Sequence, residues 1–269
     1  MKISIVMSTF NRSHLLLRSL RGYHLSDFDR SQFELIVVDD GSTDDTEKLC
    51  EVAGQAIPLR YIKAEKPKEL GWRDCAATIN EGLRLATGEV VVATHPEVIP
   101  GVLSLDHIWQ TRKDWQYTAC KVYYLTPRDQ ELIDTVPLAK EGNLAVRQIP
   151  GFYDHDPNIL GPAEAYTHQA TEAHTRWESW VFGAMTQKTW RDIGGMTEFN
   201  TWGSIDMDFM GRRQILGIDT LTLLDERTIV VHQNHDDPTK NIPTPRDMNA
   251  AMAALKLYRT REEAIHNYL

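Results

Sequence analysis

Apolar and polar positions fall in alternating blocks along the first hundred residues, and the blocks read as strand, helix, strand, helix. Ile3 to Ser8 is a largely apolar run, the pattern of a parallel strand covered on both faces. Asn11-Arg12-Ser13 starts a helix with Leu15, Leu16, Leu20 and Tyr23 on one side. Phe33 to Val38 predicts a second strand and Thr43 to Ala53 a second helix, with Ser42 or Thr43 as its cap. Leu59 to Lys63 reads as a short third strand, Cys75 to Ala86 as a helix stopped by Gly88, and Glu89 to Thr94 as a β-branched fourth strand. This alternation predicts an α/β fold with a mostly parallel central sheet, right-handed crossovers and flanking helices.

Past residue 100 the period changes. Leu103 to Arg112 predicts a helix and Gln116 to Leu125 an aromatic-rich strand. Residues 139–175 hold Gly, Pro, Asn and His without a sustained period, as a functional loop or lid does. Trp180 to Thr186 predicts a strand, followed by a short helix ending at Gly194-Gly195. Asp206 to Leu216 predicts a helix closed by Gly217, then come short strands at Leu221–Leu224 and Thr228–His232, and Arg246 to Leu269 reads as a final helix. No repeat or flexible linker interrupts the chain, so residues 1–269 are expected to form one domain.

Composition narrows the function. A chain of 269 residues, 42% hydrophobic, can bury one large core or two smaller ones. The net charge of −9, with no basic patch interleaved with aromatics, argues against nucleic acid as a partner. Nucleotides remain open, because a metal or a few local cations can offset phosphate charge. Cys50, Cys75 and Cys120 are odd in number and widely spaced, so neither a zinc nor a disulfide framework follows, and a reducing cytoplasm is expected. Residues 1–9 begin directly as a strand, without a signal-peptide pattern, and no apolar run approaches the length of a transmembrane segment. The oligomeric state is not legible.

The most informative stretch is Leu35-Ile-Val-Val-Asp-Asp-Gly-Ser-Thr-Asp-Asp-Thr46. It places Asp39 and Asp40 at the carboxyl end of a strand, where open α/β sheets bind ligands. Ser4-Ile-Val-Met-Ser-Thr-Phe-Asn-Arg12, Val37-Val-Asp-Asp-Gly-Ser-Thr-Asp44, Asn80-Glu-Gly82 and Ala86-Thr-Gly-Glu89 recur in the order seen in one enzyme family. Together with Gly203-Ser-Ile-Asp-Met-Asp-Phe-Met-Gly-Arg212 they resemble the family 2 glycosyltransferases, which have the GT-A fold. The resemblance covers most of residues 3–235.

That resemblance implies a nucleotide-binding half in residues 1–100 and an acceptor and catalytic half, with a C-terminal helix, in residues 101–269. It implies that Thr9, Asn11, Asp39, Arg73 and His95 bind the nucleotide, with Asp39 accepting from a uracil-like N–H. A strand-end carboxylate discriminates because a base lacking that donor leaves it unpaired. Where the family carries Asp-x-Asp, this chain reads His95-Pro96-Glu97. Glu97 keeps an oxygen donor in the last position, and Val231-His-Gln-Asn-His235 offers His235 or His232 as a further ligand for Mn²⁺ or Mg²⁺. Asp206 matches the family's general base, and Ile205 stands where a glutamate is usual. Residues two apart on a helix face different ways, so Asp206 can reach a cleft while Asp208 anchors or lines the site. Trp180-Val-Phe-Gly-Ala-Met-Thr186 resembles the stretch lining the sugar side, where Gly183 would admit a ring close to the backbone, with Trp202 as a stacking face.

The implied activity is transfer of a sugar from a nucleotide diphosphate donor, expected to be UDP-linked, to a hydroxyl of a glycan, lipid-linked or small-molecule acceptor. The implied class is a hexosyl transferase (EC 2.4) that depends on metal and inverts, with Asp206 as base. The alternatives are a retaining transferase of the same fold and a nucleotide-sugar-binding protein without catalysis. A nucleotidyltransferase would carry a glycine-rich phosphate loop after the first strand, and Ser8-Thr9-Phe10-Asn11 is not one.

Overall fold

A computed structural model of the chain describes residues 1–64, 75–125, 127, 130–131, 172–174, 182–198, 205–225, 227–235 and 260–269. In chain order its elements are β1 (Ile3–Thr9), α1 (Ser13–Leu25), β2 (Phe33–Asp39), α2 (Thr46–Ala53), β3 (Leu59–Lys63), α3 (Cys75–Leu85) and β4 (Val90–Thr94). These are followed by β5 (Val98–Ile99), α4 (Ser104–Thr111), β6 (Gln116–Cys120), β7 (Val122–Tyr124), β8 (Glu172–His174), β9 (Phe182–Thr186), α5 (Gln187–Ile193), α6 (Ile205–Leu216), β10 (Asp219–Leu223) and β11 (Val230–His232).

The near-continuous apolar strands need cover on both faces, and the helices supply it. Ile3, Ile5, Met7, Leu35 and Val37 meet Leu16, Leu20 and Tyr23 of α1, Cys50 of α2 and Ile108 of α4. Their neighbours Val6, Ile36 and Val38 point the other way, towards Ile79 and Leu83 of α3, Trp190 of α5 and Phe209 of α6. The period of two along each strand thus sorts side chains between two helical layers.

The main sheet has eight strands in the order β3-β2-β1-β4-β9-β6-β10-β8, and β5-β11-β7 form a small second sheet. β3, β2, β1 and β4 are mutually parallel, as expected of the first hundred residues. β9 runs antiparallel to both β4 and β6, and β8 antiparallel to β10, so the far half of the sheet is mixed.

Four expectations are corrected here. Gln116 to Leu125 is two strands in two sheets: Lys121 donates to Leu223 O and accepts from Val230 N–H, so the chain changes sheets at that residue. β5 and β8, two and three residues long, were too short to read from the sequence. α2 begins at Thr46, not Thr43, because Ser42 and Thr43 bond to other partners and cap nothing. The last residues, 260–269, form turns and extended chain instead of helix, so the expected helix does not reach Leu269. Of residues 139–175, the expected lid, all but 172–174 lie outside the described residues.

A buried carboxylate ties β1, β2 and the approach to β4 together. Glu34 Oε1 accepts from Ser4 Oγ at 2.6 Å, Thr87 N–H at 2.8 Å and Thr87 Oγ1 at 2.7 Å. Burial alone would raise its pKa, but these donors outweigh burial and hold Glu34 below the usual carboxylate range. A depressed folded pKa contributes stability above the unfolded value of 4.5 that is lost as pH falls through the folded value. Glu34→Ala is therefore expected to cost about 1–3 kcal/mol at pH 7, with the gap to the unaltered protein closing below pH 4.5. Urea unfolding at several pH values checks this, and a gap independent of pH would refute it.

Candidate active site

The register of the parallel strands sets Thr9 beside Asp39, and Met7 beside Thr94, so the segments after β1, β2 and β4 leave from one edge of the sheet. Asn11 adopts φ +50°, a left-handed conformation that asparagine tolerates. Its N–H donates to Ser42 Oγ at 2.8 Å, and its Oδ1 accepts from Thr43 N–H at 2.8 Å. Ser13 N–H donates to Asp44 Oδ2 at 2.9 Å. The turn after β2 is thereby laced to the turn after β1.

Asp39 organises this corner from below. It is fully buried; its Oδ1 accepts from Ser42 N–H at 2.8 Å and Ser42 Oγ at 2.6 Å, and its Oδ2 from Tyr61 Oη at 2.6 Å. A carboxylate offers about four acceptor positions, so these bonds leave one, on Oδ2. Burial and the bond to Asp39 push the Tyr61 hydroxyl well above its ordinary pKa, which keeps it a donor. Thr9 is also buried, and its Oγ1 has no hydrogen-bond partner among the described residues.

The second corner is assembled by the small sheet. β11 pairs with β5 so that His232 lies opposite Val98, and Gln233 N–H donates to Glu97 O at 2.8 Å. The buried Gln233 carboxamide also donates to Leu15 O at 3.0 Å, tying α1 to the same corner. Arg12 Nε lies 3.3 Å from Glu97 Oε1, and the rings of His232 and His235 are 5.4 Å apart. Burial would raise Glu97, but the charges of His95, Arg12 and His235 prevail and hold it below its ordinary value. Burial pushes His232 down to about 4, against the pull of Glu97, so its imidazole is neutral at pH 7. The expected residues His95, Glu97, His232 and His235 do gather here. Among the described residues, however, no three His, Cys, Asp or Glu side chains converge closely enough to hold a metal ion by themselves.

The sugar-side residues fare differently. Gly183 lies in β9 between β4 and β6, and a Cβ built on it would fall 1.8 Å from Tyr117 Oη. The missing side chain makes room for the Tyr117 ring, a packing role that the sequence did not suggest. Asp208 is 4% exposed and accepts from Thr197 Oγ1, which fits the anchoring one of the two roles expected of it. Asp206 is the second residue of α6; its side chain, Arg73 and Trp202 lie outside the described residues.

Arg12, Tyr61 and Thr197 were not singled out by sequence. Arg12 closed a quoted motif and was the most findable, whereas Tyr61 and Thr197 acquire partners only through pairing of distant strands and helices.

Residues 4–95 match the family described as glycosyl transferase family 2. Those residues carry the similarity to that family, and the chain has the GT-A fold. It is 27% identical over 231 residues to validoxylamine A glucosyltransferase of Streptomyces hygroscopicus subsp. jinggangensis, an alignment spanning 80% of this chain and 52% of that protein. It is 24% identical over 220 residues to hyaluronan synthase of Pasteurella multocida, spanning 77% and 22%. The chain therefore covers about half the length of the first of these relatives and less of the other. Among solved structures, TarS 1-349 of S. aureus in complex with UDP-GlcNAc superposes with a TM-score of 0.62 at 17% identity, covering 88% of this chain and 60% of that one. The mannosyltransferase PcManGT of Pyrobaculum calidifontis, in complex with GDP-Man and Mn²⁺, gives 0.57 at 21%, covering 88% and 58%. The family match runs from β1 to the residue after β4, so it includes Thr9, Asp39 and His95 and stops short of Glu97, β11 and α6.

The Tyr117 contact generates a test. Gly183→Ala is expected to destabilise the fold by about 1–3 kcal/mol through overpacking. A melting temperature unchanged by the substitution, with weakened donor binding alone, would assign Gly183 to the sugar site instead.

Proposed function

We propose that this chain transfers a sugar from a nucleotide diphosphate donor, UDP-linked by preference, to a hydroxyl acceptor, with inversion. The observation that supports it most is the convergence of the segments after β1, β2, β4 and β11 at one sheet edge, with Asp39 and Thr9 at one corner and Glu97 with its histidines at the other. Relatives named for glucosyl transfer and hyaluronan synthesis agree with such a site, as do neighbours solved with UDP-GlcNAc and with GDP-Man. On this reading the chain is one domain, with residues 1–100 binding the nucleotide and residues 101–269 receiving the acceptor. A cytoplasmic location is part of the same reading; among the described residues no helix is long and apolar enough to cross a membrane.

Thr9 Oγ1 and the remaining acceptor position on Asp39 Oδ2 would meet the polar edge of the base, with Asn11 holding the turn in register. Arg73 and His95 would add contacts to the nucleotide. At the other corner the donor chemistry suits a divalent ion that takes only part of its shell from protein: the carboxylate is kept ionised and His232 neutral. Glu97, with His235 or His232, would hold the ion. When bound, it would neutralise charge developing on the leaving diphosphate. Arg12 would balance Glu97 when no ion is present. Asp206, in the first turn of α6, would accept the acceptor hydroxyl's proton as that oxygen attacks the anomeric carbon. Trp202 would offer its face to a sugar ring.

Thermal shifts with UDP-glucose, UDP-N-acetylglucosamine and GDP-mannose, each with Mn²⁺ or EDTA, test the donor and the metal together. A uridine donor is expected to raise the melting temperature most, and more with Mn²⁺ than with EDTA. Glu97→Gln is expected to abolish the Mn²⁺ increment while keeping part of the UDP shift. Asp206→Asn is expected to lower turnover by about 10²–10⁴-fold, and NMR should show inverted anomeric configuration in the product. Retained configuration, or full turnover in Asp206→Asn, would overturn the proposed mechanism.

A further inference from the structure

Three separate stretches of chain meet at the hydroxyl of Thr197. Its O–H donates to Asp208 Oδ2, and its oxygen accepts from His266 Nε2 at 2.9 Å and from Arg212 Nη1 at 3.4 Å. A hydroxyl has one hydrogen and two lone pairs, and all are committed. Because the single hydrogen goes to the carboxylate, His266 must present Nε2 as N–H. Arg212, fully buried in α6, fixes the surroundings by donating to Ile193 O at 2.7 Å, Gly195 O at 2.7 Å and Ala264 O at 2.9 Å.

Residues 264–269 lie along the turn that follows α5. His266 N–H donates to Ile193 O at 3.0 Å and Tyr268 N–H to Gly194 O at 3.2 Å. Arg84 of α3 reaches Tyr268 O at 2.7 Å. Gly194 has φ +73°, and a Cβ there would lie 1.7 Å from the His266 carbonyl, so the segment seats directly on backbone. Asn80 of α3 clamps the other side of the turn: its Oδ1 accepts from Met196 N–H at 2.8 Å, and its Nδ2 donates to Met196 O and Glu198 Oε1, each at 2.9 Å. Residues 194–198 are thus held by α3, by α6 and by the last residues of the chain.

We propose that His266 is a positioning residue for sugar transfer: through Thr197 and Asp208 it fixes the first turn of α6, on which Asp206 sits. The inference rests on the reading of Asp206 as the proton acceptor. Without the His266 N–H, the Thr197 hydroxyl loses the nearer of its two donors and keeps only the longer contact from Arg212. The bond from Thr197 to the buried Asp208 carboxylate is then less firmly oriented, and the tether of the start of α6 to the turn after α5 loosens. A base displaced by about 1 Å from its working geometry costs up to about 10²-fold in rate.

His266→Leu removes the N–H, and His266→Gln keeps an amide donor of similar reach. Turnover is read as release of UDP from UDP-glucose and UDP-N-acetylglucosamine, affinity as the Kd for UDP, and local order as hydrogen exchange of the amides of residues 205–210. His266→Leu is expected to lower kcat about tenfold or more, leave the Kd for UDP within about twofold, and speed exchange in residues 205–210 but not in β1 and β2. His266→Gln should restore most of each. Unchanged exchange and turnover in His266→Leu overturn the inference, and so does a fall in UDP affinity that matches the fall in kcat. If His266→Leu does not fold, Thr197→Val against Thr197→Ser carries the same expectations. Asp206→Asn measured alongside separates the two readings. Full activity there sinks the base assignment, whereas an inactive Asp206→Asn beside a fully active His266→Leu sinks the positioning role alone.

Discussion

Parallel pairing of β1 with β2 on one side and β4 on the other decides which residues of this chain can meet. Parallel strands finish at the same edge of the sheet, so segments about 30 and 90 residues apart in sequence leave it side by side. Once Thr9 and Asp39 share a register position, the bonds from Asn11 to Ser42 and Thr43, and the ion pair from Arg12 to Glu97, are within the reach of ordinary side chains. The locking of β1, β2 and residue 87 by one glutamate shows how tightly that register is kept.

The edge is finished by a polar layer in which backbone groups are as important as side chains. Asp39 spends its carboxylate on the turn after its own strand and on Tyr61, so its first task is architectural. The second corner depends on a backbone bond, Gln233 N–H to Glu97 O, and on a two-residue strand. Electrostatics then act on what the backbone has gathered: neighbouring cations keep Glu97 ionised despite burial, and burial keeps His232 neutral despite Glu97.

The first hundred residues were largely legible in the sequence because their elements are local and long: β1, β2 and β3 fall within a residue of their expected bounds. The far half was less so. A strand that leaves one sheet for another at Lys121 shows no break in hydrophobic pattern, and a two-residue strand shows no pattern at all. Ser42 and Thr43 had the chemistry of helix caps but found stronger partners in Asp39 and Asn11. Asp208, expected to anchor or to line the site, accepts from Thr197. In each case the residue type was read correctly, and a partner set by the folded turn decided its use.

The fit of Tyr117 against Gly183 ties two strands of the sheet into one steric unit. Position 183 has no space of its own; whatever volume it gains must first be surrendered at 117. A lineage of this chain can therefore enlarge the one residue only after the other has shrunk, so substitutions at the two sites are ordered in time as well as paired.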